Sequence, residues 1–342
     1  MSPTWEPDVL AGYWQRTLPL GADPDGEGEI FATLVRRGPE AAARHAVLVV
    51  HGFTDYFFHT EVADRFADRG FAFYALDLRK CGRSWREGQS PHFITDLARY
   101  DAELEWALQT IAEDAAAPHI LVYGHSAGGL IVPLWLDRRR AASRSGEVSG
   151  LVLNSPWLDL QGPAILRSAG TAAIRALAQL RGKQVIPLPR EGAYGASLHR
   201  DYGGEFDYNL EWKPVGGFPI TSGWINAIRR GQAKLHRGLD VGVPNLILRS
   251  DRSVRGNGTP DGAQCGDAVL DVKQIARWAG CIGNRTTVVP IAGAKHDVFL
   301  SVPDVRPAAF GELDAWLDWY TAWVGGPQRL EPLAGEDAGR LS

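Results

Sequence analysis

Cysteine is scarce in this sequence, and long apolar runs are missing. Its three cysteines, Cys81, Cys265 and Cys281, are odd in number and have no C-x-x-C spacing, which argues against a disulfide framework or a zinc site. No stretch of about 18 apolar residues exists, so we expect no stable membrane insertion. The first residues lack the basic and apolar regions of a signal peptide, which predicts a cytoplasmic protein.

An excess of positive charge is missing as well. The formal net charge is -4 and the pI is near 6.2, so we expect no nucleic-acid partner. With 45% hydrophobic and 22% charged residues, the composition is that of an ordinary globular enzyme. A chain of 342 residues fits one large domain that carries an insertion.

Short apolar segments alternate with amphipathic ones through most of the chain. The predicted strands are residues 12–18, 28–36, 46–50, 71–76, 120–123, 150–154, 245–249 and 286–291, and the predicted helices are residues 59–69, 94–112, 271–281 and 308–323. This alternation is typical of an α/β fold with a mostly parallel, doubly wound sheet. In such a sheet the carboxyl ends of the strands meet at one edge, where ligands bind.

The alternation stops after residue 155 and resumes at residue 245. The intervening residues 156–244 are rich in Gly, Pro, Trp and Tyr. A structureless loop of that size is implausible in a compact domain. We therefore predict a core made of residues 1–155 and 245–342, with residues 156–244 inserted as a cap over the site.

Residues 120–132 (Ile-Leu-Val-Tyr-Gly-His-Ser-Ala-Gly-Gly-Leu-Ile-Val) have the pattern of a strand, a sharp turn and a helix. The turn places Ser126 between Gly124 and Gly128 in a G-x-S-x-G pattern, the form of a nucleophile elbow. Glycines at these two positions let the strand and the helix pass closely while the central residue takes a strained backbone conformation. We predict that Ser126 is a nucleophile at the carboxyl edge of the sheet.

An activated serine requires a base, and the base requires an orienting acid. His296 follows the last predicted strand at the same edge as Ser126, so it is the predicted base. Two aspartates fit the acid, because Asp251 comes directly after a predicted strand and Asp267 comes shortly before the next helix. Their positions in the sequence leave both open.

An oxyanion hole requires backbone amides beside the nucleophile. The usual donors in this kind of site are the amide after the nucleophile, here Ala127, and one in the loop after the strand 46–50, here Phe53. We predict that the substrate pocket involves His51, Trp157, Tyr208 and Trp224.

Four segments together resemble the α/β-hydrolase superfamily, and within it the branch of monoglyceride lipase-like, lysophospholipase and serine aminopeptidase proteins. They are residues 51–53 (His-Gly-Phe), 76–84 (Leu-Asp-Leu-Arg-Lys-Cys-Gly-Arg-Ser), 124–129 (Gly-His-Ser-Ala-Gly-Gly) and the loop of His296. The resemblance implies Ser126 as nucleophile, His296 as base, and the amides of Phe53 and Ala127 as oxyanion donors.

The resemblance also bears on the acid. The run from Asp267 to Val272 matches the family's Asp-x-Val-Val-Pro-Val type of run, which favours Asp267 over Asp251. Lys80 and Cys81 depart from the family pattern, since they stand where the family has Gly-His.

The implied activity is that of a serine hydrolase that cleaves carboxylic esters, like a lipase, lysophospholipase or esterase. It would act on a small-molecule ester or lipid-like substrate through an acyl-enzyme on Ser126, with no metal and no organic cofactor. The alternatives are the same fold acting on amide, lactone or carbon–carbon bonds, an acyltransferase, and a non-catalytic ligand-binding protein of this fold.

Overall fold

The structure, a computed structural model, describes residues 4–38, 43–115, 117–144, 146–160, 174–187, 192–254, 260–283 and 285–326. Its strands are β1 (Glu6–Pro7), β2 (Tyr13–Ala22), β3 (Glu29–Arg37), β4 (His45–Val50), β5 (Phe71–Asp77), β6 (His119–His125), β7 (Val148–Asn154), β8 (Asn245–Ser250) and β9 (Thr286–Ile291). They form one nine-stranded sheet in the order β1-β2-β3-β5-β4-β6-β7-β8-β9.

Helices cover this sheet. The longer ones are α1 (Thr60–Ala67), α2 (Asp101–Ala115), α3 (Gly128–Ala141), α4 (Ser222–Leu235), α5 (Val272–Trp278) and α6 (Arg306–Gly325). Short helical turns are found at Gly82–Ser84, Leu97–Tyr100, Ala193–Ala196, Arg200–Tyr202, Pro260–Ala263, Ala279–Cys281 and Val298–Leu300. Residues 174–180 are also helical.

Strands β4 to β9 run parallel, while β1 to β3 form an antiparallel extension that joins β5. In the register, Val50 pairs with Leu76 on one side and with Gly124 on the other. The ends of β4, β5 and β6 are therefore level. The loops that follow these three strands open at the same edge, where α/β sheets bind their ligands.

Both faces of the sheet are apolar. Val47 packs in one cluster with Phe66 of α1 and Leu317 of α6, whereas its neighbour Leu48 packs in another cluster with Leu104 of α2. Successive side chains of a strand point to opposite faces, so an unbroken apolar run such as β4 fits a strand covered on both sides. The predicted doubly wound α/β fold is confirmed.

The predicted strands and helices are present with small shifts at their ends. The largest shift concerns the predicted helix over residues 94–112. The side chain of Asp96 accepts a hydrogen bond from the Ala98 amide at 3.1 Å, and a 3-10 turn at Leu97–Tyr100 precedes α2. Strand β1 was not predicted, because two residues are too short to show a period.

Strands β7 and β8 are neighbours in the sheet although residues 156–244 separate them in the chain. We call residues 156–244 the β7–β8 insertion. Its longest described helix is α4, whose Trp224, Ile225 and Ile228 pack into the same cluster as α2 and α3. The division of the chain into a core and a separate cap stays a prediction.

Lys80 departs from the family pattern, and it connects two parts of the core. Its side chain is fully buried, and Nζ lies 2.7 Å from Asp23 Oδ2 and 3.2 Å from Glu27 Oε2. Both acids belong to the turn between β2 and β3. Burial opposes the ionisation of Asp23, but hydrogen bonds from Lys80 and from backbone amides outweigh it and lower the pKa of this carboxyl group. Lys80 thus fastens the loop after β5 to the β2–β3 hairpin.

Replacing Lys80 by Met is expected to lower the free energy of unfolding by about 3–5 kcal/mol, because it leaves the buried carboxylate of Asp23 without its cation. Urea denaturation at neutral pH measures this loss. Lys183 is a matched control, since it pairs with the other oxygen of Glu27 at 2.9 Å but is half exposed. We expect Lys183→Met to change stability by about 1 kcal/mol or less. Equal losses in the two variants would contradict the role given to Lys80.

Candidate active site

Ser126 lies between β6 and α3 with a φ of 51°, a left-handed conformation that a serine rarely adopts. A Cβ atom on Gly124 would lie 2.7 Å from the Gly128 carbonyl oxygen, and one on Gly128 would lie 2.5 Å from the His51 carbonyl oxygen. Side chains do not tolerate such distances, so both positions require glycine. The steric reason for the glycine spacing is confirmed. The Ser126 amide donates to the Asn154 carbonyl at 3.0 Å, which ties the turn to the end of β7.

His296 and Asp267 meet at the same edge. Nδ1 of His296 lies 2.9 Å from Oδ2 of Asp267, and both residues are almost fully buried. The other carboxylate oxygen of Asp267 accepts from the amides of Val269 at 2.8 Å and Leu270 at 2.7 Å, which fixes its orientation. With Nδ1–H donating a hydrogen bond to the carboxylate, Nε2 carries no proton and keeps its electron pair, as a general base requires.

Asp267 reaches this position because the loop after β8 returns to its starting point. The Asp267 amide donates to the Arg252 carbonyl at 3.0 Å, and the Val254 amide donates to the Asp267 carbonyl at 2.8 Å. Residues 255–259, which lie within this loop, are outside the described part of the chain. The long separation in sequence therefore does not keep Asp267 from the site.

Asp251 has other partners. One of its oxygens accepts from the Gly293 amide at 2.9 Å, and the other lies 2.9 Å from the Arg252 guanidinium. The hydrogen bond from Arg252 is the main cause that lowers the pKa of Asp251. Its carboxylate thus holds the two loops after β8 and β9 together, whereas the carboxylate of Asp267 contacts His296.

The loop after β4 lies against Ser126. A Cβ atom on Gly52 would approach the Cβ of Ser126 to 2.8 Å, so this position also requires glycine. Phe53 comes next in the loop. Within the described residues, neither the Phe53 amide nor the Ala127 amide donates to another protein group. Free N–H groups beside a nucleophile are what an oxyanion hole needs.

Asn154, at the end of β7, has a role that we did not predict. Its side-chain amide donates to Tyr123 Oη at 2.7 Å and to Asp297 Oδ1 at 2.6 Å, and its side-chain oxygen accepts from the Val298 amide at 3.2 Å. Asn154 therefore holds the loop of His296 against the central strands. A polar residue that ends an otherwise apolar strand at the site edge was the available signal.

A second histidine lies beside the predicted base. The rings of His125 and His296 are 5.0 Å apart between centroids. Burial lowers the pKa of His125, which favours its neutral form, and its Nδ1 lies 3.1 Å from the Asn154 carbonyl oxygen. His125 lines a cavity of about 50 Å³ together with Asp55 and Asp297, among others. That volume suits a water molecule and is too small for a substrate.

Two of the predicted pocket residues, Trp157 and Trp224, lie near the loop after β4. The centroid of the Trp224 ring lies 4.0 Å from that of the Phe53 ring and 5.6 Å from that of the Trp157 ring. The Trp157 amide donates to the Ser126 carbonyl oxygen at 2.9 Å, so the backbone of this tryptophan lies next to the turn that carries Ser126. Trp224 is almost fully buried in the core cluster, whereas Phe53 and Trp157 are partly exposed at its edge.

Tyr208 and His51 have mainly structural contacts. Tyr208 packs with Tyr56 and Phe58 in a separate cluster. Nε2 of His51 accepts from the Leu78 amide at 3.1 Å, and its Nδ1 lies 2.7 Å from the Gly52 carbonyl. His51 therefore links the loops after β4 and β5. The roles predicted for Tyr208 and His51 in binding substrate stay predictions.

One group of side chains could be considered for a metal. His51, Cys81 and His92 are buried, and one ligand atom of each lies within 4.8 Å of the others. Burial raises the pKa of the Cys81 thiol well above its usual range, and His51 already accepts from Leu78. A cation would have to displace that thiol proton and break that hydrogen bond. The geometry favours a buried contact between Cys81 Sγ and His92 Nδ1, at 3.2 Å, over a metal centre.

The part of the chain that the structure describes contains no helix long and apolar enough to cross a membrane. The longest described helix, α6, is amphipathic in its contacts, since Leu313, Leu317 and Tyr320 face the sheet while Trp319 is partly exposed.

The sheet order and the strand–serine–helix elbow define an α/β-hydrolase fold. Among solved structures, the chain resembles a soluble variant of monoglyceride lipase from Saccharomyces cerevisiae in complex with a substrate analog, with a TM-score of 0.58 and 18% identity over 90% of this chain and 96% of that one. It also resembles a thermostable carboxyl esterase from Bacillus coagulans in complex with glycerol, with a TM-score of 0.58 and 15% identity over 90% of this chain and 98% of that one.

The sequence comparisons narrow the family. Residues 41–252 match the model of the serine aminopeptidase S33 family. A monoacylglycerol lipase from Mycolicibacterium smegmatis is 31% identical over 218 residues, which cover 63% of this chain and 72% of that protein. The chain belongs to this family of serine hydrolases within the α/β-hydrolase fold.

Proposed function

We propose that this protein hydrolyses carboxylic esters through an acyl-enzyme formed on Ser126. The observation that carries the proposal is the buried hydrogen bond between His296 and Asp267, at the same sheet edge as the strained Ser126. The family supports it, since one relative is a monoacylglycerol lipase.

In the proposed mechanism, Nε2 of His296 takes the proton of Ser126 Oγ as this oxygen attacks the ester carbonyl. The carbonyl oxygen becomes an oxyanion that accepts hydrogen bonds from the Phe53 and Ala127 amides. His296 then gives the proton to the leaving alcohol, and the acyl group stays on Ser126. Water, activated by the same imidazole, releases the acid. Asp267 stabilises the imidazolium that forms in both halves of the reaction.

The proposed substrate is an ester with an apolar acyl group. The partly exposed rings of Phe53 and Trp157 offer apolar surface near Ser126, and burial of an acyl chain there is favourable by about 25 cal/mol per Å² of apolar surface. The monoacylglycerol lipase relative supports a fatty-acyl ester of glycerol as the first compound to test. Residues 156–244 act as the cap that shapes this pocket.

An aminopeptidase activity is the second candidate, because the matching family model carries that description. Such an enzyme needs a carboxylate to bind the free amine of its substrate. The two carboxylates that line the small cavity at His125 do not fit this role, since a substrate cannot enter it and both are engaged, Asp55 by Lys213 at 2.7 Å and Asp297 by Asn154 at 2.6 Å. These contacts favour an ester substrate, and aminoacyl p-nitroanilides tested beside p-nitrophenyl esters distinguish the two.

A fluorophosphonate probe is expected to label the protein once, on Ser126, because it is attacked by an activated serine. The variant Ser126→Ala should take up no label and lose measurable turnover of p-nitrophenyl esters and monoacylglycerols. Ser143→Ala is the matched control, since Ser143 is an exposed serine at the end of α3 with the same left-handed backbone. Labelling of Ser126→Ala at the wild-type level would refute the proposal.

A further inference from the structure

The loop that carries the Phe53 amide is held from outside the sheet, by the β7–β8 insertion. Nζ of Lys213 lies 2.7 Å from Oδ1 of Asp55 and 3.4 Å from the Thr54 carbonyl oxygen. The Phe218 amide donates to the Thr54 hydroxyl at 3.0 Å. Lys213 and Phe218 thus fix the two residues that directly follow the proposed oxyanion donor.

The Lys213–Asp55 pair is buried and charged. Only 7% of Lys213 and 8% of Asp55 are exposed. Nζ of Lys213 lies 5.5 Å from the ring centroid of Phe58 and 5.8 Å from that of Tyr208, and these rings shield the ammonium group from water. Burial alone would raise the pKa of Asp55, but the charge of Lys213 outweighs it and lowers that pKa to about 2. In such surroundings an ion pair is much stronger than at the surface.

The backbone beside this pair is strained. Thr54 has a φ of 53°, a left-handed conformation that a β-branched residue rarely adopts. Strain of this kind persists only where the surroundings impose it. The contacts on Thr54 and Asp55 from Lys213 and Phe218 provide such surroundings. Without them Thr54 would relax, and the amide of Phe53, one residue away, would turn from its present direction.

We infer that Lys213 is a positioning residue for the oxyanion hole. Through Asp55 and Thr54 it sets the direction of the Phe53 amide, so the β7–β8 insertion contributes to transition-state stabilisation as well as to the pocket. The inference rests on the proposed function, since it requires that the Phe53 amide bind an oxyanion.

A positioning role differs measurably from a purely structural one. An oxyanion donor acts more strongly in the transition state than in the ground state, so its loss lowers kcat and leaves KM nearly unchanged. Loss of the donor also weakens the binding of an alkyl boronic acid, because this inhibitor forms a negatively charged tetrahedral adduct with the serine. A purely structural pair would change the stability of the protein and leave kcat, KM and Ki of the folded protein as they are.

The experiment compares Lys213→Met with Lys213→Arg and Lys183→Met. For Lys213→Met we expect kcat for a p-nitrophenyl ester to fall about 10²-fold, with KM within about two-fold and the boronic acid Ki raised by a factor similar to that in kcat. Lys213→Arg, which keeps the charge, should recover most of the loss. Lys183→Met breaks another ion pair between the insertion and the core, to Glu27, and should behave like the wild type.

A kcat and a boronic acid Ki of Lys213→Met within about three-fold of the wild-type values would overturn the inference. Should Lys213→Met fail to fold, the double variant Asp55→Asn/Lys213→Met removes both charges, and wild-type kcat in it would overturn the inference equally. The proposed function itself would be refuted by a wild-type protein that turns over no ester and takes up no fluorophosphonate. This is measured on the wild type before any variant is compared, so the two failures are distinguishable.

Discussion

Replacing Asp267 by Asn is expected to lower kcat by about 10⁴-fold and to leave the fold intact. The asparagine would present an N–H group to Nδ1 of His296. Nδ1 must then accept this hydrogen bond, and the proton of the neutral imidazole lies on Nε2 instead. Nε2 is the nitrogen that has to take the proton from Ser126, so the base is lost. The oxygen that accepts from Val269 and Leu270 remains in the variant, which preserves the loop.

Asp251→Asn is the matched control, because the two aspartates were the alternatives that the sequence left open. Its side chain is partly exposed and contacts Arg252 and Gly293, so we expect kcat within about three-fold of the wild type. Steady-state turnover of a p-nitrophenyl ester, with circular dichroism to verify folding, measures both variants. A larger loss in Asp251→Asn than in Asp267→Asn would show that the acid is assigned to the wrong residue.

Local patterns in the sequence were sufficient for the fold and for the turn that carries Ser126. An apolar run such as Val47–Val50 can be buried on both faces only in a sheet that helices cover on both sides. The run alone therefore predicts a central strand of such a sheet. The elbow is equally local. Gly124 is required because a Cβ atom there would collide with Gly128, four residues on, and Gly128 is required because a Cβ atom there would collide with the end of β4. The spacing of the two glycines in the sequence indicates this.

Contacts between distant segments could not be predicted in the same way. The choice between Asp251 and Asp267 depends on the return of a loop to Arg252, which no periodicity reveals. The pair of Lys213 with Asp55 joins residues 158 positions apart. Lys80 looked like a loss from the family motif, but its partner Asp23 lies 57 residues away in a hairpin turn. Each of these contacts is a product of the tertiary structure.

Gly128→Ala is expected to lower the free energy of unfolding by about 3 kcal/mol and kcat by about 10²-fold. The added Cβ atom would lie 2.5 Å from the carbonyl oxygens of both Val50 and His51. These are backbone atoms at the end of β4 and cannot rotate away as a side chain could. To relieve the contact, the loop must move, and it carries the Phe53 amide. The collision thus reaches the proposed oxyanion hole as well as the packing of α3.

Gly311→Ala provides the matched control for this prediction. Gly311 is also a helical glycine, but it lies within α6 and a Cβ atom there would have no neighbour within 4 Å. We expect this variant to be about 0.5–1 kcal/mol more stable and fully active, since alanine has the better helix propensity. Urea denaturation and ester turnover measured on both variants separate the general effect of alanine from the collision. Wild-type activity in Gly128→Ala would mean that the loop after β4 can shift without moving the Phe53 amide, and the close approach of Gly128 would then be unrelated to catalysis.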